Sequence, residues 1–147
     1  MSSDRYTLRA AVYIILIKDN TVLLLRRHNT EWKNGWYTLP AGHIENNETI
    51  LDCACREVNE ETGITLNKNE LKLVHIVRYR GKEHYIEFFF TASHWEDDPR
   101  LTEPEKCDDL GWFPLTNLPH KTLKNVVQAI DQFKQGNTLS EYVELNI

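Results

Sequence analysis

Two apolar patterns alternate along the chain, and one of them predicts β-strands. Runs rich in β-branched and aromatic residues, bounded by turn residues, are typical of strands. The predicted strands are residues 8–17, 21–27, 35–39, 71–79, 85–92 and 110–115. The turn Lys18-Asp19-Asn20 joins the first two strands, and Arg80-Gly81-Lys82 joins the fourth and fifth, so two hairpins are expected.

The other pattern places apolar residues at helical spacing in two segments. Residues 48–62 carry the stripe Leu51, Ala54, Cys55, Val58 and Thr62. Asn46-Asn47 offers an N-cap for this helix, and Gly63 is a natural stop. A second helix is predicted between Pro119 and Gly136, with the stripe Leu123, Val126, Val127, Ile130 and Phe133. This order of elements predicts an α/β (α+β) sandwich, in which helices cover both faces of a mixed sheet.

Length and composition limit the classes of protein that fit. A chain of 147 residues with 41% hydrophobic and 27% charged residues is expected to form one domain, residues 1–147. No apolar run reaches the roughly 18 residues that a membrane span needs, and the N-terminus lacks the order of a secretion signal. Three cysteines, an odd count, argue against a disulfide framework and favour a cytoplasmic location.

The net charge of -5 bears on the kind of partner. Proteins that bind the phosphate backbone of nucleic acids usually carry a basic stripe, whereas the largest basic block here is the pair Arg26-Arg27. A nucleic acid polymer is therefore disfavoured as the partner. A small anionic substrate is compatible with this charge, because a bound divalent cation can supply positive charge.

Three carboxylates are concentrated on one face of the first predicted helix. Glu57, Glu60 and Glu61 stand at i, i+3 and i+4, which places them within about 100° around the helix axis. Arg56 lies one turn before Glu60 and can neutralise only part of this charge. Because hard divalent cations prefer carboxylate oxygens, a metal site is one interpretation. A solvated acidic helix face is the other.

The wider spacing favours the metal site. Gly42 is followed after five residues by Glu48, and after seven more by Arg56-Glu57-Val58-Asn59-Glu60-Glu61-Thr62-Gly63-Ile64. This run matches the pattern G-x5-E-x7-R-E-U-x-E-E-x-G-U, with U aliphatic, at every fixed position. Residues 42–64 therefore resemble the box of the Nudix hydrolase family, and the order of elements around them resembles that family's α/β/α sandwich with its loop-helix-loop.

The resemblance implies a reaction and a set of metal ligands. Nudix hydrolases cleave a nucleoside diphosphate linked to another group by attack of water on phosphorus, with Mg²⁺ or Mn²⁺. Glu57, Glu60 and Glu61 match the family's metal-binding acids, and the backbone carbonyl of Ala41 matches a further ligand. Arg56 matches the arginine that orients one acid, so Glu60, Arg56 and Glu57 are expected to be catalytic.

Other site residues are expected outside the box. The family often adds an acid from a late loop, and the candidates here are Glu103, Glu105, Asp108 and Asp109. Glu105 is favoured as the catalytic acid, against the alternative of a solvated loop. Arg27 matches an arginine that contacts substrate phosphate, although it is also explained as a surface residue. Trp36 precedes the box and can either stack on a base or pack in the core.

The leading functional hypothesis is a pyrophosphohydrolase for a small nucleotide. Residues 25–42 resemble members that convert a (deoxy)nucleoside triphosphate, or a modified one, to the monophosphate and pyrophosphate. The alternatives are hydrolysis of ADP-ribose, of a dinucleoside polyphosphate or of RNA 5′ ends, and a non-enzymatic nucleotide-binding regulatory domain. Tyr79 lies where a tyrosine can mark the dinucleoside class. The complete set of box acids favours an enzyme. The expected assembly is a monomer or a homodimer.

Overall fold

The computed structural model describes residues 4–145, which form two β-sheets covered by helices. The strands are β1 (Arg9–Ile15), β2 (Ile17–Lys18), β3 (Thr21–Arg27), β4 (Tyr37–Thr38), β5 (Ala41–His43), β6 (Leu71–Arg80), β7 (His84–Ala92), β8 (Cys107–Pro114) and β9 (Leu139–Val143). The helices are α1 (Ile50–Thr62) and α2 (Lys124–Lys134), with a short 3-10 turn at Lys68–Glu70. Within residues 4–145, every helix is too short or too polar to cross a membrane.

The larger sheet is mixed and has the strand order β5-β1-β7-β6-β9. β1 runs parallel to β7 and β6 runs parallel to β9, whereas β1 and β5, and β6 and β7, are antiparallel. The smaller sheet is built around β3, which pairs in antiparallel fashion with β2, β4 and β8. Because β5 pairs with β1 along the edge of the larger sheet, the chain that leads into α1 starts from a fixed position.

Two apolar clusters lie on opposite faces of the larger sheet. One cluster packs α1 against the sheet through residues such as Val58, and the other packs α2 through residues such as Val126. Consecutive residues of β7, Phe89 and Phe90, enter different clusters because side chains alternate along a strand. Helices therefore cover both faces, and the predicted sandwich with a mixed sheet is confirmed.

The first predicted hairpin is wrong in its extent. Only β2 pairs with the start of β3, whereas β1 joins the larger sheet between β5 and β7. The apolar run crosses from one sheet to the other at Leu16, which is fully buried. Since both faces of this run are buried, its pattern does not distinguish one long strand from two strands in different sheets. The second predicted hairpin, β6 with β7, is confirmed.

Some boundaries also differ from the prediction. α1 begins at Ile50 rather than at residue 48, because Thr49 is the N-cap and its hydroxyl accepts a hydrogen bond from the Asp52 amide at 3.0 Å. β8 begins at Cys107, before the predicted residue 110. The sequence does not predict β5 and β9, which are short and gain their pairing from strands distant in sequence.

A buried carboxylate lies between the larger sheet and α2. Glu87 on β7 is 3% exposed and accepts hydrogen bonds from the Tyr13 hydroxyl at 2.9 Å and the Asn125 side-chain amide at 3.1 Å. Burial raises the pKa of Glu87 to about 7, although both hydrogen bonds favour the ionised form. The folded protein therefore retains this proton at pH values where the unfolded chain releases it.

We expect Glu87→Gln to stabilise the protein more at pH 8 than at pH 5. The unfolded carboxyl titrates near 4.5 and the folded one near 7, so the parent loses folding free energy as pH rises through this interval. The stability of the variant relative to the parent should increase by roughly 2–3 kcal/mol between the two pH values. Urea unfolding at both pH values measures this difference.

The matched control is Glu141→Gln, which removes an exposed carboxylate from β9. Its free energy of unfolding should differ from that of the parent by less than about 0.5 kcal/mol at either pH. An effect of Glu87→Gln that is the same at pH 5 and pH 8 would contradict the raised pKa.

Candidate active site

The predicted acids are presented by α1, which follows β5 after the loop of residues 44–49. Val58 faces the apolar cluster and is fully buried. Gly63 ends the helix in the left-handed conformation with φ +77°, and its amide donates a hydrogen bond to the Asn59 carbonyl at 2.9 Å. With one side of the helix packed and its end fixed, the adjacent side carries the predicted acids Glu57, Glu60 and Glu61.

Arg56 joins the box carboxylates through one guanidinium. Its Nε and Nη2 atoms donate hydrogen bonds to the two oxygens of Glu48 at 3.0 and 2.7 Å. Its Nη1 donates to Glu57 at 2.7 Å and to Glu60 at 3.3 Å, and Nη2 also donates to the His43 carbonyl at 3.2 Å. These charge-assisted bonds lower the pKa of Glu48 to about 2. Arg56 therefore ties the loop after β5 and two of the helix acids together.

Gly42 makes the space that the Glu57 carboxylate occupies. A Cβ atom at Gly42 would lie 2.0 Å from Cδ and 2.2 Å from Oε1 of Glu57. The backbone of Gly42 does not have a positive φ, so the requirement for glycine is steric rather than conformational. The first glycine of the box is thus explained by contact with an acid of the same box.

Glu61 is turned towards β5. Its Oε1 accepts a hydrogen bond from the Ala41 amide at 2.8 Å. Burial raises the pKa of Glu61 to about 8, and the charges of Glu57 and Glu103 act in the same direction, while the Ala41 amide and the charge of Arg27 oppose them. The structure thus brings the amide of Ala41 to a box acid. The role of the Ala41 carbonyl as a ligand stays a prediction.

Three of the four late-loop acids contact residues outside the box, and the contact of Glu103 is a long ion pair with Lys106, with 3.9 Å between Oε2 and Nζ. Asp108 forms an ion pair with Arg26, with 2.7 Å between Oδ1 and Nε. Asp109 accepts a hydrogen bond from the Tyr37 hydroxyl. Both carboxylates therefore bind side chains of β3 and β4.

Glu103 and Glu105 differ in their relation to the box. The Thr102 hydroxyl donates to the Glu60 carbonyl, which places the residue before Glu103 beside α1. The charge of Glu103 helps to raise the pKa of both Glu57 and Glu61. Glu105 is exposed in the turn that follows. Glu105 as the late acid stays a prediction, and Glu103 becomes the stronger candidate. Sequence reasoning had only position in the chain to choose among four acids, whereas their partners are set by tertiary contacts.

Arg27 supports the loop between β3 and β4. Its Nε donates to the Trp32 carbonyl at 2.8 Å and its Nη2 to the Thr30 hydroxyl at 3.1 Å. In the same loop, the Lys33 ammonium lies 4.9 Å from the centre of the Trp36 ring, which packs in part against the α2 cluster. The charge of Arg27 acts on the box acid Glu61, whose pKa it lowers, and Trp36 lies between core and surface. Their contacts with substrate stay predictions.

The donor set of this site fits a hard divalent cation. Within residues 4–145, no three His, Cys, Asp or Glu side chains are already grouped as a metal site. Arg56 and the Ala41 amide hold the box carboxylates in this structure. Burial raises the pKa of Glu57 as well as that of Glu61, and the hydrogen bond and charge of Arg56 offset only part of this effect at Glu57. Carboxylate oxygens are the ligands that Mg²⁺ and Mn²⁺ prefer.

Comparison with known proteins agrees with this site. Residues 7–133 match the NUDIX domain. The NAD-capped RNA hydrolase NudC of Vibrio parahaemolyticus is 33% identical over 113 residues, which cover 72% of this chain and 39% of that protein. The human 8-oxo-dGDP phosphatase NUDT18 is 30% identical over 129 residues, which cover 83% of this chain and 38% of that protein. The chain thus spans about two fifths of the length of these relatives.

A relative of more similar length and a solved structure agree with the match. The ADP-ribose pyrophosphatase of Methanocaldococcus jannaschii is 32% identical over 129 residues, which cover 86% of this chain and 75% of that protein. The crystal structure of a MutT NUDIX hydrolase from Burkholderia pseudomallei has a TM-score of 0.80 at 28% identity, covering 86% of this chain and 98% of that one. With the complete box, the domain match and the shared fold, the chain belongs to the Nudix family.

We expect Gly42→Ala to weaken Mn²⁺ binding about tenfold or more while the fold is retained. The added methyl group would displace the Glu57 carboxylate, which is the end of a flexible side chain. Calorimetric titration with Mn²⁺ measures the affinity, and thermal unfolding measures Tm. Gly111→Ala is the matched control, because its Cβ would meet only the Phe113 ring, at 3.4 Å. Parent-like Mn²⁺ affinity in Gly42→Ala would show that this space is not needed.

Proposed function

We propose that this chain is a metal-dependent hydrolase that cleaves the phosphoanhydride of a nucleoside diphosphate linked to another group. The observation that carries the proposal is the complete Nudix box beside β5, in which Arg56 binds Glu57 and Glu60 and the Ala41 amide binds Glu61. The names of the relatives refer to NAD-capped RNA, 8-oxo-dGDP and ADP-ribose. Each of these compounds contains a nucleoside diphosphate, which supports the same bond as the target.

Different residues of the site are proposed to bind the metal, to orient the acids and to accept a proton. The groups that would hold Mg²⁺ or Mn²⁺ are the side chains of Glu57, Glu60, Glu61 and Glu103 and the carbonyl of Ala41. A bound cation of this kind polarises phosphoryl oxygens and activates water. Arg56 orients Glu57 and Glu60 through its hydrogen bonds. In this proposal the Glu60 carboxylate accepts a proton from the attacking water, whose oxygen bonds to phosphorus as the bridging P–O bond breaks.

We propose a small nucleotide as the substrate, with a (deoxy)nucleoside triphosphate or a modified one cleaved to the monophosphate and pyrophosphate. Arg27 uses only part of its N–H groups to hold its loop, so others can bind a phosphate. Trp36 offers a ring for a base in the loop that Arg27 supports. The net charge of -5 supports a small substrate over an RNA chain.

The environment of Tyr79 does not support a dinucleoside polyphosphate hydrolase. Tyr79 is 8% exposed, and its hydroxyl donates a hydrogen bond to Glu144. Burial and the Glu144 carboxylate both raise the pKa of this phenol, so the hydroxyl stays neutral and hydrogen-bonded to Glu144. A tyrosine in this position contributes to the core rather than to contacts with a second nucleoside.

A panel of nucleotides with Mg²⁺ or Mn²⁺ tests the proposal, with products resolved to show which anhydride has broken. Nucleoside triphosphates, 8-oxo-dGDP, ADP-ribose and 5′-triphosphate RNA form the panel. We expect hydrolysis of small nucleotides that stops when the metal is chelated. Binding without hydrolysis of any member would instead favour a regulatory domain, and preference for RNA, weakening with salt, would favour an RNA 5′-end enzyme.

We expect Glu60→Gln to lower kcat by at least about 10²-fold while the protein still folds and binds nucleotide. Glutamine keeps the volume and the helix propensity of glutamate but removes the charge that a cation and a proton both need. Steady-state kinetics of purified protein on its best substrate measure the loss. Glu31→Gln, outside the box, is the control and should behave as the parent. A decrease of only a few-fold in Glu60→Gln would show that this helix is not the catalytic metal site.

We expect Glu103→Gln to lower kcat by about tenfold or more, and Glu105→Gln to remain within about twofold of the parent. The two substitutions are chemically identical and lie two positions apart, but the charge of Glu103 helps to raise the pKa of Glu57 and Glu61, whereas Glu105 is exposed in a turn. Parallel kinetics of both variants measure the difference. The reverse order of effects would restore Glu105 as the late acid.

A further inference from the structure

The loop that carries Glu103 is fastened to the last turn of α1. The Arg100 amide donates a hydrogen bond to the Thr62 carbonyl at 2.9 Å, and the Thr102 hydroxyl donates to the Glu60 carbonyl. The last carbonyls of a helix have no partners within the helix and must find them elsewhere. Residues 100–102 supply two of these partners, so the loop is bound to the helix that presents the box acids.

Gly63 gives the Arg100 side chain its position. A Cβ atom on Gly63 would lie 2.3 Å from Nη1 and 2.7 Å from Cζ of Arg100. The guanidinium therefore lies against the C-terminal end of α1, where the helix dipole favours positive charge. The second glycine of the box makes room for a side chain of the late loop, in addition to taking a positive φ.

The other side of Glu103 is fixed to the smaller sheet. The amides of Lys106 and Cys107 donate to the Glu103 carbonyl at 2.9 and 3.0 Å. The Lys106 carbonyl in turn accepts a hydrogen bond from the His28 amide at 2.8 Å, directly after β3. Glu103 thus lies between an anchor on α1 and an anchor beside β3, whereas Glu105 is exposed in the turn between the two bonded residues.

We propose that Thr102 and Arg100 are positioning residues that hold Glu103 against the carboxylates of α1. The inference rests on the proposed function, because it treats Glu103 as a residue of the metal site. Neither Thr102 nor Arg100 needs to touch metal or substrate. Their effect passes through the backbone of the loop, which would be anchored on the β3 side alone if the α1 contacts were lost.

The test is a double-mutant cycle read out as Mn²⁺ affinity by calorimetric titration or electron paramagnetic resonance. Thr102→Val keeps the size and branching of the side chain but removes the hydroxyl donor. We expect it to weaken Mn²⁺ binding about fivefold, in line with the loss of one hydrogen bond, and Thr102→Ser to restore the parent affinity. In the background of Glu103→Gln, the same Thr102→Val change should cost less than about twofold.

Two further variants complete the design. Arg100→Ala removes the guanidinium beside Gly63 but keeps the amide bond to Thr62, so we expect a smaller loss of Mn²⁺ affinity that likewise disappears in the Glu103→Gln background. Thr65→Val is the matched control, because the Thr65 hydroxyl donates to Asp97 at 3.2 Å in the same loop but outside the Glu103 anchor. It should leave Mn²⁺ affinity within about twofold of the parent.

The outcomes separate this inference from the proposed function. Thr102→Val with parent affinity, or with an equal loss in both backgrounds, overturns the inference, since an equal loss would mean that Thr102 acts through the Glu60 backbone. The expected cycle in a protein that hydrolyses no member of the nucleotide panel would support the inference and overturn the proposed hydrolase. A parent protein that binds no Mn²⁺ would overturn both.

Discussion

The crowding of carboxylates around the single guanidinium of Arg56 is the constraint on which this site depends. Like charges at i and i+3 or i+4 of a helix repel, and burial increases the cost. Arg56 offsets part of that cost only because Glu48 takes two of its N–H groups and fixes the plane of the guanidinium. One remaining nitrogen then donates to both Glu57 and Glu60. Without the pair to Glu48, the arginine could swing away from the acids.

The same interaction explains where α1 begins. Glu48 lies outside the helix, and its Oε1 also accepts a hydrogen bond from the Glu45 amide at 2.8 Å. If the helix started at residue 48, the helical turn would point the side chain of Glu48 away from Arg56. Thr49 therefore serves as the N-cap, and the helix starts at Ile50. Asp52 supplies the acidic residue of the first turn, while the ion pair with Arg56 holds Glu48 outside the helix.

The sequence predicted the box helix, its stop at Gly63 and the arrangement of layers, because periodicity and fixed spacing record them directly. It also identified the acids of α1 from their helical spacing. It did not separate the four late-loop acids from one another, since the partners that engage Asp108 and Asp109 are on β3 and β4, far away in sequence. The sequence also did not predict that the first apolar run divides between two sheets. A segment buried on both faces has no alternation of apolar and polar residues that would indicate which strands it pairs with.

Three arginines near the acids each contact backbone atoms. The few positive charges of the site therefore also hold its loops. Arg56 bonds the His43 carbonyl, Arg27 bonds the Trp32 carbonyl, and Arg100 lies against Gly63. Each guanidinium thus fixes a loop while its charge faces acids or the negative end of a helix. A lysine would supply the charge but not several donors in one plane. The same three side chains therefore set both the positions of the loops and the charge around the acids, so a change in one of these alters the other.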